Sequence, residues 1–255
     1  MSMLRPAKFP FLEHEGVLAF AHRGGAGDAP ENTMPAFQSC VDLGYRYVET
    51  DVHRTKDGKL VAFHDDTLDR ATDRSGRIRE LTWSEVRQAT VKGERIPLLE
   101  DVLGTWPELR VNIDPKADDA VELLANVIQK TNALDRVCVG AFSDARLKKL
   151  RRKLGPGLCT SMGPLDVLRL RLRSLRVPVG AFSAGCAQVP IKKGAIPVVD
   201  ARSVRTAHHL GLQIHVWTVD DPNEMHRLLD LGVDGIITDR PSLLKDVLIS
   251  RNAWA

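Results

Sequence analysis

No continuous apolar stretch of membrane-spanning or signal length occurs in the 255 residues, and the N-terminal stretch is broken by Arg5, Lys8, Glu13, His14 and Glu15. That pattern excludes a membrane-spanning helix and a secretion leader, so a soluble protein is expected. Closely paired cysteines are also missing. Cys40, Cys138, Cys159 and Cys186 stand far apart, against both a thiolate zinc site and a disulfide scaffold, and in favour of a reducing, cytoplasmic compartment. An excess of one charge is lacking too: 36 basic against 33 acidic residues leave a net +3, which gives nucleic acid no footprint. The densest basic run, Lys148 to Lys153 with Arg169, Arg171, Arg173 and Arg176 beyond it, is interleaved with Leu at helical spacing and reads as a solvated outer helix face. Contact of that face with a membrane surface stays open. The chain has no repeat, low-complexity tract or linker.

What is present is an alternation. Short β-branched or apolar runs read as strands at Leu18 to His22, Tyr47 to Val52, Arg110 to Asp114, Arg136 to Phe142, Leu158 to Met162, Cys186 to Pro190, Ile214 to Val219 and Gly235 to Asp239. Helical patterns lie between several of them: Thr33 to Leu43, Asp118 to Lys130, Ser143 to Leu154 and Pro222 to Leu231, three of them followed by Gly. Eight strands in this rhythm, at this length, predict an α/β fold of the (β/α)8 TIM barrel type occupying residues 1–255 as one domain. The span of about 66–98 carries no clear strand and is predicted to be a small rim insertion of loop and helix. Thr55-Lys56-Asp57-Gly58 signals a hairpin, and a turn centred between Asp57 and Gly58 sets His64 opposite Asp51.

Ionisable residues gather at the predicted strand ends. Glu49 and Asp51 share one face of their strand, with Val48 and Val52 on the other. Two such close carboxylates either share a cation or are satisfied by Lys or Arg. An all-oxygen donor set favours magnesium or calcium over zinc or copper, and Asp114, ending its strand, is the third candidate ligand. Its alternative duty is to cap the helix beginning near Asp118. His53 continues the Glu49–Asp51 row, as a further ligand, a supporting group or a rim histidine, whereas His14, His208, His209, His215 and His226 read as structural or exposed. Arg23 and Lys116 supply a planar fork and a point charge for phosphate oxygens, and Gly25 and Gly27 let the backbone turn closely around a ligand. His22 and His64 suit general acid–base chemistry near neutral pH.

These segments in order, His22-Arg23-Gly24, Pro30-Glu31-Asn32-Thr33, Glu49-Thr50-Asp51-Val52-His53, His64-Asp65, Asp69-Arg70-Ala71-Thr72, Asp114-Pro115-Lys116, Val216-Trp217-Thr218-Val219 and Val233 to Pro241, resemble the glycerophosphodiester phosphodiesterase family. The resemblance implies a (β/α)8 barrel and metal-dependent hydrolysis of a glycerophosphodiester to glycerol 3-phosphate and an alcohol. It implies one divalent cation on Glu49, Asp51 and Asp114, catalytic His22 and His64, phosphate contacts from Arg23 and Lys116, and Trp217 lining the substrate pocket. Asp114 departs from the more usual Glu, and Asp220 from a common Asn. The stretch from His22 to Phe37 also resembles the lysophospholipase D branch, so a lysophospholipid is the alternative substrate; a phosphoglycerol-binding protein without turnover is the other alternative. Oligomeric state is not legible.

Overall fold

The computed structural model describes residues 8–254. Eight parallel strands form its centre: β1 (Leu18–Ala21), β2 (Tyr47–Arg54), β4 (Arg110–Pro115), β5 (Val137–Val139), β6 (Cys159–Thr160), β7 (Cys186–Pro190), β8 (Gln213–Trp217) and β9 (Gly235–Thr238), with β3 (Leu60–Ala62) returning antiparallel beside β2. Their spatial order is β6-β5-β4-β2-β1-β9-β8-β7. The two edges meet through one parallel bridge, Ser161 to Cys186, with Gly185 N donating to Thr160 O at 3.0 Å and Met162 N to Cys186 O at 2.9 Å. A helix follows each parallel strand, so the predicted (β/α)8 barrel is the fold.

Alternation along each strand builds two cores. Outward side chains such as Ala19, Ala21, Val48, Val52, Val111, Ile113, Val137 and Val139 pack under the surrounding helices. Inward ones, Leu18, Phe20, Tyr47, Cys138, Cys159, Cys186 and Ile237, fill the barrel together with Phe9, Phe11 and Leu12. The N-terminal segment thus plugs the end where the strands begin: Arg110 donates to Phe11 O and Gln213 to Leu12 O. The opposite end is left for chemistry.

Helix starts follow their capping residues. Thr33 Oγ1 accepts Ala36 N ahead of Met34–Asp42, Ser143 Oγ accepts Arg146 N ahead of Asp144–Leu154, and Asp221 Oδ1 accepts Glu224 N ahead of Pro222–Leu231. Helices Leu99–Thr105 and Pro241–Ser250 join those read from sequence. Two expectations change. Residues 66–98 contain a small ribbon, Thr90–Val91 against Glu94–Arg95, and pack Leu68, Ile78, Val86, Ala89 and Ile96 on Val61 and Phe63. The hairpin pairs Val52 with Ala62 and Arg54 with Leu60, so Asp51 faces Phe63 rather than His64, with Phe63 N donating to Asp51 O at 3.0 Å. The loop has three residues, Lys56 to Gly58, with Gly58 in the left-handed region at φ 78°; it is one longer than the two-residue turn the sequence suggested.

Candidate active site

The strand ends at the open face bring His22, Arg23, Glu49, Asp51, Asp114 and Lys116 into one network. Parallel register sets Asp51 directly beside Asp114 and Glu49 beside Asn112. Lys116 Nζ stands between the two aspartates, 2.6 Å from Asp51 Oδ1 and 2.9 Å from Asp114 Oδ2. Burial alone would lower the Lys116 pKa, but Asp114 and Asp51 outweigh it and raise it. The same burial pushes the Asp114 carboxyl up, with Lys116 acting against it. Asp114 does not cap the following helix, Ala120–Lys130, whose capping position is Asp119.

Glu49 is buried and receives the Arg23 backbone N–H on Oε2 at 3.1 Å. Burial, and next the charge of Asp51, push its pKa up to about 7, against the pull of His22 and Lys116. Arg23 itself is held at φ 51° in a tight turn after β1, and its guanidinium Nε lies 3.4 Å from Asp51 Oδ2 while Nη1 donates to Glu31 Oε1 at 3.3 Å. The turn requires glycine at position 25: φ is 86°, and a Cβ there would stand 2.7 Å from Pro241 Cγ. Gly27, likewise, approaches the backbone of Asp239, to whose carbonyl it donates at 2.8 Å. Both glycines therefore let the first loop close on the segment that follows the last strand.

His22 is oriented by that last strand. Its Nδ1 lies 2.7 Å from Asp239 Oδ1, and its Nε2 lies 3.7 Å from Glu49 Oε2. An ionised Asp239 can only accept, so Nδ1 carries the proton and Nε2 faces the site. Burial disfavours the imidazolium, yet Glu49 and Asp239 together outweigh it and raise the pKa. Asp220, whose departure from Asn had no evident consequence in the sequence, holds Asp239: its Oδ1 accepts Asp239 N and Thr238 Oγ1, each at 2.8 Å.

His64 reaches the rim by another route. Its Nδ1 lies 2.6 Å from Asp65 Oδ1, its carbonyl is 2.9 Å from His53 Nε2, and it is one-third exposed. Arg70 donates to both Asp65 and Glu31, and Glu31 also meets Arg23, so one chain of ion pairs ties the His64 rim to the Arg23 turn. Asp65 is held down at about 2: burial opposes this, and the hydrogen bonds from Arg70 and His64 prevail. His53 thus supports His64, and burial lowers its pKa. Trp217, ending β8, is half-buried and meets Phe142 edge-on at 5.7 Å. Asp239, Arg70 and Glu31, quoted only within motifs, and Asp220, noted only as a departure from Asn, are members of this network to which the sequence reading gave no role. For Asp239 the available signal was a carboxylate at the end of the last predicted strand.

The donors fit a hard divalent cation. They are all oxygens, and Asp51 Oδ2 and Asp114 Oδ1 are buried without a hydrogen-bond partner. Glu49, Asp51 and Asp114 are less tightly gathered than a second group: among the described residues, the three ligand-type side chains whose donor atoms all lie within 4.8 Å of one another are Cys138, Cys159 and Cys186. Distance along the sequence is here no measure of distance in space. Sequence distance hid that β5, β6 and β7 are neighbours around the barrel.

Carboxylates, cations and an oriented imidazole gathered at the C-terminal face of a (β/α)8 barrel have the architecture of a barrel enzyme. The model of the Glycerophosphoryl diester phosphodiesterase family matches residues 22–243, and the chain belongs to that family. It is 45% identical over 251 residues, 96% of this chain and 95% of the other, to a protein of Mycobacterium tuberculosis (strain ATCC 25618 / H37Rv) named probable glycerophosphodiester phosphodiesterase 2. A glycerophosphodiester phosphodiesterase of Caldanaerobacter subterraneus subsp. tengcongensis is 34% identical over 246 residues, 89% of this chain and 96% of that one. The fold is shared, at a TM-score of 0.77 and 22% identity over 92% of this chain and 97% of that one, with an Oleispira antarctica phosphodiesterase solved in complex with the product sn-glycerol-3-phosphate. With family membership comes the class of activity, phosphoric diester hydrolysis on a small glycerophosphodiester.

Proposed function

We propose that the chain is a divalent-cation-dependent glycerophosphodiester phosphodiesterase in which His22 and His64 act as the acid–base pair. The observation that carries this reading is the pairing of His22 Nδ1 with Asp239, which leaves Nε2 as the free nitrogen beside Glu49. In the first step the neighbouring glycerol hydroxyl gives its proton to His22 Nε2 and its oxygen bonds phosphorus. The bond from phosphorus to the alcohol oxygen breaks, and His64 protonates that oxygen as it leaves. In the second step water attacks the cyclic phosphate, passing a proton to His64, and His22 returns its proton to the ring oxygen, which becomes the hydroxyl of glycerol 3-phosphate. Each positioned acid or base contributes roughly 10²–10⁴-fold.

Arg23 and Lys116 orient the phosphate by charge, the first through its fork and the second through its ammonium. Glu49, Asp51 and Asp114 would hold magnesium or calcium, which when bound neutralises charge at the phosphate oxygens. Trp217 and Phe142 offer apolar surface at the mouth, where the alcohol would lie.

The four cysteines are free and buried, which supports a reducing, cytoplasmic setting. Among the described residues no helix is long and apolar enough to cross a membrane. Leu165, Leu168 and Leu175, at least half exposed beside Arg173 and Arg176, support peripheral contact with an anionic membrane surface.

The test is turnover by chelator-stripped protein resupplied with magnesium, calcium or manganese, on glycerophosphocholine and, in parallel, lysophosphatidylcholine. Metal-dependent release of glycerol 3-phosphate is expected. Release of lysophosphatidic acid alone would transfer the reading to lysophospholipase D, and equal rates with and without metal would remove the cation from it.

A further inference from the structure

A line of hydrogen bonds climbs the barrel interior from the N-terminal plug toward the open face, and a backbone carbonyl fixes its direction. Leu12 O can only accept, so the Gln213 group 3.1 Å from it is the amide Nε2. Gln213 Oε1 then accepts from His215 Nε2 at 3.0 Å, which puts the imidazole proton on Nε2 and leaves Nδ1 bare. Gln188 Nε2, 3.5 Å from that bare nitrogen, is its donor, and it also donates to Asn112 Oδ1 at 3.0 Å. Reversing the Gln188 amide would set its oxygen against two acceptors, on the fully buried His215 and the buried Asn112.

This relay ends at the active site. Register sets Gln188 level with His215, and Asn112 level with Glu49. With both amide protons of Gln188 engaged, Oε1 remains as an acceptor, and among the described residues no group donates to it. Gln188 itself is half-buried, two positions beyond Cys186 on the way to the open face. Room beside its oxygen is kept by Gly140, which follows β5: a Cβ there would stand 3.1 Å from Gln188 Oε1. Gly140 does not have a left-handed φ, so the backbone does not require glycine at this position and the space does. The row Glu49, Asn112, Gln188 leads away from His22, whose Nε2 is 3.7 Å from Glu49 Oε2. A glycerol engaged at His22 by its attacking hydroxyl extends along that row.

We propose that Gln188 is a specificity determinant: in the space kept by Gly140, its Oε1 accepts the terminal hydroxyl of the substrate's glycerol, the one that takes no part in the displacement. The inference rests on the phosphodiesterase reading above and selects between its two substrate classes. In a glycerophosphodiester the terminal hydroxyl is free and donates to Gln188. In a 1-acyl lysophospholipid the same oxygen belongs to an ester and has no proton to give, while the barrel below is filled by Phe9, Phe11, Leu12 and Phe20 and leaves an acyl chain no path inward. A site built to hydrogen-bond a hydroxyl rejects an analogue lacking it strongly, because its own polar group is left unpaired. The small, unacylated glycerol is therefore the preferred substrate.

The full chain, supplied with the divalent cation that supports turnover, is assayed for choline release from glycerophosphocholine and from the phosphocholine ester of propane-1,2-diol. The second ester keeps the attacking hydroxyl and carries a methyl group in place of the terminal hydroxymethyl. The native chain should favour glycerophosphocholine by at least about tenfold in kcat/KM. Gln188→Leu should lose that preference by slowing glycerophosphocholine while the diol ester stays within about twofold of its native rate. Gly140→Ala, which crowds the oxygen, should narrow the preference in the same sense. Equal turnover of the two esters by the native chain would overturn the subsite alone, whether or not the variants fold, and would leave the phosphodiesterase reading standing. A Gln188→Leu chain slowed equally on both esters would overturn it too, since that is the mark of a purely structural residue. Choline from neither ester would remove the phosphodiesterase reading and the subsite with it.

Discussion

Asp239 decides which nitrogen of His22 faces the substrate, and it does so from 217 residues away. Asp239→Asn should keep the fold and lose kcat by at least about 10²-fold with KM little changed, because an amide no longer enforces the tautomer. Steady-state kinetics with a circular dichroism control checks this. Arg70 acts at the other histidine, and Arg70→Ala should cost about tenfold in kcat, roughly 1.4 kcal/mol of barrier, by loosening Asp65 behind His64. The same substitution has a pH signature. Asp65 is depressed from 3.8 to about 2, so its contribution to stability is present above 3.8 and lost as pH falls through 2. The stability deficit of Arg70→Ala should therefore shrink on acidification over that range, as urea unfolding at several pH values would report. The strand-end placement of His22, Arg23, Glu49 and Asp51 was legible because alternation along a strand and a position at its end are local properties. Asp239 as their partner was not, since its pairing depends on which strands are neighbours in the closed barrel.

At the scale of elements, the eight strands were readable from short apolar runs, and helices from caps and following glycines. The register of the β2–β3 hairpin was not, because a two-residue and a three-residue loop share the Asp-Gly signal and differ only in where Gly58 falls. A Cβ at Gly58 meets nothing within 4 Å, so Gly58→Ala should cost only its left-handed strain, about 1 kcal/mol. A shift in the urea midpoint with activity retained would show it. Another element contact carries a charge switch: His208 on helix Ala201–His209 meets Asp234, just before β9, at 2.9 Å. The hydrogen bond to Asp234, opposed by burial, raises the His208 pKa above 6.5. That contribution is complete below 6.5 and fades as pH rises through the raised value. His208→Gln should thus destabilise the chain more at pH about 6 than at pH about 8, and modestly, since the pair is partly exposed.

For the molecule as a whole, the barrel is built from the bottom by aromatic packing and finished at the top by charge. Phe11 is fully buried against Phe20 and Tyr47, with ring centres 6.2 and 5.3 Å apart, so Phe11→Ala should cost about 3–5 kcal/mol by thermal or urea unfolding. The surviving folded fraction should keep its turnover, because the plug lies at the far end from His22. The alternation of strand and helix patterns, at this length, announced the barrel. They could not announce the thiol cluster, whose members are spaced along the sequence by whole βα units and become neighbours only through the sheet. The first strand lies between the second and the last, and the imidazole of one is steered by the carboxylate of the other. On the ribosome, then, a nascent chain can hold its oxygen donors in β2 and β4 long before residue 239 emerges. Hydrolytic competence would arrive late and all at once, with the barrel's final strand acting as its own quality check.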